Sequence, residues 1–192
     1  MRKDFYVFRH GETDCNVQGR WQGRGVNLPL NKTGEAQAQA LAQRLKDLKL
    51  EVIYSSPLKR ALQTAQTAAS VLGVEVRVLD ELTEGCLGDV EGLKKDIIAQ
   101  KYPKLWDEWY NDTMIMSTRW PNGESKLEMQ QRMFQGFEKM LSAKENIIGV
   151  ASHSGSMRYF FYAFGYGPHK MPNTALYHLV YDNGEWTLEI MT

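Results

Sequence analysis

The stretch Phe5-Tyr6-Val7-Phe8-Arg9-His10-Gly11-Glu12-Thr13 changes character in its middle. Its first four residues are aromatic or β-branched and suit a buried strand. The next five are a cation, an imidazole, a glycine, a carboxylate and a hydroxyl, which cannot fill a core. In open α/β sheets, ligands bind just beyond the carboxyl ends of the strands. The same switch recurs along the chain. Val52-Ile53-Tyr54 runs into Ser55-Ser56-Pro57 with Arg60 close behind, Val76 to Leu79 into Glu81 to Glu84, and Ile147 to Ala151 into Ser152-His153-Ser154-Gly155.

Helical periodicity fills the intervals. Ala38, Leu41, Ala42, Leu45 and Leu48 recur at helical spacing behind a cap at Asn31 or Thr33. Ser56-Pro57 reads as an N-cap with proline at the first helical position, followed by the stripe Leu58, Ala61, Leu62, Ala65, Ala69 and Leu72. Residues 13 to 30 and 80 to 92 read as loops. Residues 124 to 142 form a long helix with Leu127, Phe134, Phe137 and Leu141 on one face, and a short helix follows His153. Leu176 to Tyr181 and Trp186 to Ile190 flank Asp182-Asn183-Gly184-Glu185, a hairpin signal. Strands alternating with helices predict a three-layer α/β/α sandwich with a mostly parallel central sheet. At 192 residues the chain is read as a single domain, 1–192.

Charge narrows the partners. Formal net charge is zero, which argues against bulk electrostatic capture of nucleic acid or anionic membrane. No stretch approaches the ~20 apolar residues of a membrane span, and the N-terminus lacks the apolar run of a secretory signal, so the expected location is the cytoplasm. Cys15 and Cys86 are expected to be reduced thiols, and a zinc site would need more ligands at closer spacing. The glycines between Gly19 and Gly25 lack the spacing and strand–helix context of a dinucleotide loop.

The four post-strand segments carry two arginines, two histidines and several carboxylates, which suits a dianionic ligand such as a phosphate monoester. A guanidinium grips phosphate through paired donors in a fixed plane. A neutral histidine can attack phosphorus, and a carboxyl near the leaving oxygen can give it a proton. Phosphoryl transfer needs mostly positioning and charge neutralisation.

Phe8-Arg9-His10-Gly11-Glu12-Thr13 with Asn16 resembles the signature of the histidine phosphatase superfamily, the phosphoglycerate-mutase-like proteins. The resemblance continues through Gln22-Gly23, Pro29-Leu30-Asn31, Ser55-Ser56-Pro57-Leu58 with Arg60, Glu81-Leu82 with Glu84, Gly123-Glu124-Ser125, and Ser152-His153-Ser154-Gly155 with Arg158, in the family's order. It implies that His10 is a nucleophile that becomes phosphohistidine. Arg9, Arg60 and His153 would hold the transferring phosphoryl group, and Glu84 would protonate the leaving alcohol and then help activate water. Asn16, Gln22, Thr13 and the Ser154 backbone N–H would contact the substrate. It implies no metal and no cofactor. Glu81, Asp89 and Glu91 compete with Glu84 for the acid role. The implied partner is a small-molecule phosphate ester, and the chain would be a monomer or homodimer. Alternatives are a phosphoglycerate-mutase-type phosphoryl transferase and a phosphate-ester-binding scaffold with little turnover.

Asn27 stands where many relatives have Asp, Val90 where many have Trp, and Ser154 replaces a common Gly. Residues about 91–123 form a helical lid insertion rich in Tyr102, Trp106, Trp109, Tyr110, Met114, Met116 and Trp120, which could be core or pocket wall. A short lid of this kind favours a phosphatase open to water over a mutase that must exclude it. His178 in an alternating strand reads as a sheet-face or core histidine, and His169 as a loop residue.

Overall fold

The computed structural model describes residues 1–110, 115–166 and 170–191. Its strands are β1 (Arg2–Arg9), β2 (Val52–Ser55), β3 (Glu75–Val78), β4 (Ile147–Ser152), β5 (Leu176–Asp182) and β6 (Glu185–Met191). Its α-helices are α1 (Asp14–Val17), α2 (Lys32–Leu45), α3 (Lys59–Leu72), α4 (Lys95–Lys101), α5 (Pro103–Tyr110), α6 (Lys126–Leu141) and α7 (Ser154–Tyr162). Among the described residues the strands form one sheet in the order β3-β2-β4-β1-β5-β6. The pairs β2–β3, β2–β4 and β1–β4 are parallel, and β5 is antiparallel to both of its neighbours. The mixed, mostly parallel sheet matches the expectation.

Alternation along β1 explains the layers. Phe5 and Val7 point into a cluster with Met133, Phe137, Met157 and Phe160 of α6 and α7. Phe8 points to the other face, against Leu41 and Ala42 of α2 and Ala65 and Ala68 of α3. Each of these three β1 side chains is fully buried, at roughly 1.5–3 kcal/mol apiece. That is enough to hold β1 centrally although Lys3 is buried with them. Its Nζ donates to the carbonyls of Ala143 and Glu145 instead of reaching water.

Some local expectations shift. Helix α3 starts at Lys59, not at Pro57. Ser56 Oγ already accepts from the Leu58 N–H and lies 2.8 Å from the His153 ring, so the helix takes its end cap from a distance, with Asn27 Oδ1 accepting from the Lys59 N–H. The core stripe of α6 is Met129, Met133, Phe137 and Met140, while Leu127 is 40% exposed. Three flexible methionines and Phe137 fill the centre of this layer, with Phe134 and Leu141 packed at its margin. The 13–30 loop contains α1, nucleated by a reciprocal cap between Thr13 and Asn16. Asn31 caps α2, and Asn183 and Gly184, both at positive φ, make the expected hairpin turn. Met114 and His169 lie outside the described residues. Among the described residues no helix is long and apolar enough to cross a membrane.

The turn after β1 is locked onto both helices of one layer. The Gly11 N–H donates to Thr64 Oγ1 of α3, and the Glu12 N–H to Gln37 Oε1 of α2. A Cβ on Gly11 would sit 2.5 Å from the Gly34 carbonyl oxygen, and a Cβ on Gly34 would sit 2.1 Å from that of Glu12. Both obstacles are backbone. Gly34→Ala gains at most about 1 kcal/mol of helix propensity, against about 1–3 kcal/mol for forcing the backbones apart. We expect a net loss of stability, read as a lower urea midpoint with an unchanged slope; an unchanged or raised midpoint would show that the turn and α2 part freely.

Candidate active site

The carboxyl ends of β1, β2 and β4 and the loop after β3 open onto one cavity of about 520 Å³. Arg9, His10, Arg60 and Glu84 all line it, as do Asn16, Gln22 and Ser154.

His10 is buried, and its Nδ1 lies 2.6 Å from its neighbour's carbonyl, that of Gly11. A carbonyl can only accept, so Nδ1 carries the proton and Nε2 keeps its lone pair. Burial first, then the charges of Arg9 and Arg60, push the imidazole pKa well below its ordinary value. His10 is therefore neutral at neutral pH, with a lone pair on Nε2. Its main chain is pinned too. The His10 N–H donates to the Ser152 carbonyl, and the Asn173 side chain donates to the His10 carbonyl.

Arg60 reaches the site from the first turn of α3 and is almost wholly buried. Of the five guanidinium donors, three are taken by His153 Nδ1, the Val26 carbonyl and the Gly23 carbonyl. The remaining two are available to a ligand. Arg9 donates to the Met171 carbonyl at 2.6 Å, and its buried Nε has no partner among the described residues. Burial pulls both guanidinium pKa values down to about 10, against the opposing pull of Glu84. Both stay charged at neutral pH.

Glu84 is the carboxylate of the cavity wall. Its Oε1 accepts from the Gly85 N–H, the Ser156 N–H and Ser156 Oγ, and its Oε2 from the Gly155 N–H. The first turn of α7 thus holds this side chain, where exposed N–H groups favour an anion. Gly155 makes room, since a Cβ there would lie 2.6 Å from Glu84 Oε1. The competing carboxylates are spent elsewhere. Glu91 accepts from the backbone N–H groups of Leu87, Arg24 and Gly25, Glu81 pairs with Lys139, and Asp89 accepts from Asn122.

Two site residues sit differently from the expectation. Thr13 is fully buried and does not line the cavity; its hydroxyl works in the α1 cap. His153 is also fully buried, behind Arg60. Nδ1 accepts from Arg60 Nε, so Nε2 carries the proton and donates to Ser56 Oγ, and neither nitrogen faces the cavity. Asn16 Oδ1 accepts from the Thr13 N–H, the Thr13 hydroxyl and Asn173 Nδ2, which turns its own Nδ2 donors outward. Gln22 is buried, with Oε1 unpartnered among the described residues.

Comparison with known proteins gives the family. A family model described as "Histidine phosphatase superfamily (branch 1)" matches residues 5–192. The chain belongs to the histidine phosphatase superfamily. An uncharacterized phosphatase, PhoE, of Bacillus subtilis (strain 168) is 31% identical over 184 residues, covering 95% of this chain and 88% of that protein. The solved structure of YhfR from Bacillus stearothermophilus superposes with a TM-score of 0.87 at 27% identity, covering 97% of this chain and 95% of that one. A mycobacterial glucosyl-3-phosphoglycerate phosphatase superposes at 0.86 with 25% identity, covering 98% of each chain.

Within this histidine phosphatase the aromatic insertion serves two purposes. Trp120 and Ile98 are fully buried with Val90 in a third cluster, whereas Trp109 belongs to that cluster and also lines the cavity. Trp21 joins it from the loop after α1, stacking on Trp106 and Tyr110. Val90 fits because Trp109 and Trp120 already occupy the space around it. Among residues that sequence reasoning left out of the site, Arg158, Lys95, Lys170 and Asn173 line the cavity. Arg158 was visible in the last motif; the others belong to segments without a motif. His178 is a sheet-face residue, stacked on Tyr6 and bonded to Asp4.

The two buried histidines make stability fall in acid. Their folded pKa values lie below the unfolded value near 6.5, so the unfolded chain takes up protons that the folded one refuses. Stability is retained above pH ~6.5 and declines below it, by up to about 1.4 kcal/mol per pH unit for each histidine. Urea titrations of wild type and His10→Gln between pH 7.5 and 5.5 should show a shallower decline for the variant. Parallel curves would mean that His10 is already protonated in the folded state.

Proposed function

We propose that this chain is a metal-independent phosphomonoesterase that works through a phosphohistidine at His10 on a small phosphorylated metabolite. The observation that carries the reading is the neutral His10, with its lone pair on Nε2, beside two guanidiniums that keep donors free. Nε2 attacks phosphorus, and the bond from phosphorus to the ester oxygen breaks. The leaving oxygen takes a proton from Glu84 at Oε2, the oxygen with only one donor on it. Water then attacks the phosphohistidine and returns its proton to Glu84. The P–N bond breaks, and inorganic phosphate and neutral His10 result.

Arg9 and Arg60 hold the phosphoryl oxygens throughout, with Asn16 Nδ2 as a further donor. His153 acts through Arg60, whose Nε it fixes. Gln22 Oε1 offers an acceptor to a hydroxyl of the leaving alcohol.

Hydrolysis of p-nitrophenyl phosphate in EDTA is expected for the wild type and absent in His10→Ala, with acid-labile phosphate trapped on the wild type alone. Turnover that needs added metal, or that survives in His10→Ala, overturns the reading. Transfer to an acceptor alcohol faster than to water would make the protein a mutase.

Glu84→Gln should separate substrates by leaving group. An alkyl phosphate needs the proton, so a loss of about 10²–10⁴-fold is expected, while p-nitrophenyl phosphate, whose leaving group needs little protonation, loses far less. Equal losses on both would remove Glu84 from the acid role.

A further inference from the structure

Behind the cavity wall, one carboxylate ties together two segments that the site depends on. Glu124 precedes α6, and both of its oxygens accept from Arg132 of that helix, Oε1 from Nε at 2.9 Å and Oε2 from a terminal nitrogen at 3.1 Å. Oε2 also accepts from the Arg24 guanidinium and from the Cys86 N–H. Burial pushes the Glu124 pKa up, but Arg132 foremost, then the Cys86 N–H and Arg24, outweigh it and hold the pKa below its ordinary value. Glu124 is therefore ionised at neutral pH. Arg24 belongs to the loop whose Gly23 and Val26 carbonyls hold Arg60, and Cys86 follows closely on Glu84. None of Arg24, Glu124 and Arg132 lines the cavity itself.

Arg132 does more than pair with Glu124. Its other terminal nitrogen donates to the Glu81 carbonyl at 2.8 Å and the Thr83 carbonyl at 2.7 Å. The Glu84 carbonyl lies 3.5 Å from Arg132 and 3.4 Å from Arg24 Nε. Ser152 Oγ donates to the Leu82 carbonyl, and Ser156 Oγ to that of Thr83. Every main-chain carbonyl from Glu81 to Glu84 thus faces a side-chain donor, and Arg132 serves all but that of Leu82. A carboxyl that gives and regains a proton is a poor anchor for itself. Its bonds from the Gly155 and Ser156 N–H groups are strong while it is ionised and weaken when it is protonated. A guanidinium stays charged through both steps, so it can hold the main chain while the side chain titrates.

We infer that Arg132, braced by Glu124 and Arg24, is the positioning residue that keeps Glu84 aimed at the leaving oxygen. It acts from outside the cavity, through the main chain of residues 81–84. The inference rests on the reading of Glu84 as the acid and deepens it. The loop that carries Arg24 has an anchor of its own, because Glu91 accepts from the Arg24 and Gly25 N–H groups. Loss of the bridge should therefore free the acid and leave Arg60 in place. A misplacement of about 1 Å in a reacting group can cost about 10²-fold in rate, so the effect is measurable.

Leaving groups provide the test, since a residue that only supports the fold would cost all substrates alike. The readout is kcat/KM, which follows the step that breaks the ester bond. Arg132→Gln should lower it by about 10–10²-fold on propyl phosphate and by no more than about threefold on p-nitrophenyl phosphate. Inhibition by inorganic phosphate should stay within about twofold, because Arg60 keeps its loop. In a Glu84→Gln background the same substitution should cost propyl phosphate no more than about threefold further, because the acid it positions is gone. Arg132→Lys keeps the charge but cannot span Glu124 and the carbonyls, so it should behave as Arg132→Gln does. If Arg132→Gln does not fold, Arg24→Gln decides. The Arg24 side chain is 41% exposed and its loss leaves Arg132 paired with Glu124. Propyl phosphate should then lose about fivefold more than p-nitrophenyl phosphate. Equal losses on the two substrates, an additive loss in the Glu84→Gln background, weakened inhibition by phosphate, recovery in Arg132→Lys, or unchanged rates overturns the inference and leaves Glu84 as the acid. If Glu84→Gln alone does not separate the two substrates, the acid reading falls and takes the inference with it.

Discussion

The site is organised by the burial of two guanidinium groups that the protein does not neutralise. Arg9 and Arg60 are held by backbone carbonyls, from Met171, Val26 and Gly23, with Glu84 as the only carboxylate on the cavity wall among the described residues. Carbonyl dipoles fix direction without cancelling charge. Much else follows from that choice. His10 is kept neutral partly because these cations lie beside it, and His153 must be neutral for its Nδ1 to accept from Arg60. Glu84 is held by N–H donors of α7 and by Gly85, not by a salt bridge, so it leaves both arginines open toward the cavity.

The same constraint explains why backbone contacts around the β1 turn are so close. Placing a charge in a buried site requires its anchors to be rigid, because a carbonyl displaced by an ångström no longer compensates desolvation. The close approach of Gly11 to the Gly34 backbone, and the Gly11 and Glu12 N–H groups held by the Thr64 and Gln37 side chains, join the β1 turn to α2 and α3. Asn27 belongs to this framework. Its Oδ1 caps α3, which carries Arg60, and a carboxylate at that position would accept the same N–H. The departure from the common Asp therefore changes local charge and leaves the geometry intact.

Much of this was legible in the sequence, and for a physical reason. Strand ends followed by polar residues mark a sheet edge, so Arg9, His10, Arg60 and Glu84 could be gathered into one cavity from chain order alone. The hairpin at Asn183-Gly184 and the Asn31 cap are local signals that tertiary packing did not override. What failed was less local. Ser56 looked like a helix cap, but its hydroxyl is shared with His153, ninety-seven positions further along. On α6, Phe137 is in the core and Phe134 and Leu141 pack against it as expected, but Leu127 is exposed and Met129, Met133 and Met140, which carry a weak pattern signal yet pack well, complete the buried face. Thr13 serves the α1 cap, and the His153 ring lies 5.2 Å from that of His10 with its nitrogens bonded to Arg60 and Ser56. Lys170 and Asn173 had no motif; only the fold brings their segment under Arg9.

The loop that anchors Arg60 is also fastened to the aromatic insertion. Trp21 exchanges backbone hydrogen bonds with Gly92 and Leu93, Arg20 donates to the Gly92 carbonyl, and Glu91 fills the space beside Gly23 and Gly25. The Gly23 and Val26 carbonyls from that loop hold the Arg60 guanidinium. The Arg60 anchor and the aromatic insertion are therefore not separable modules in this chain. An exchange of insertion between relatives would also have to carry residues 19–26. Diversification of this scaffold should then proceed by substitutions inside a retained insertion, and wholesale swaps should survive only when loop and insertion move as one inherited block.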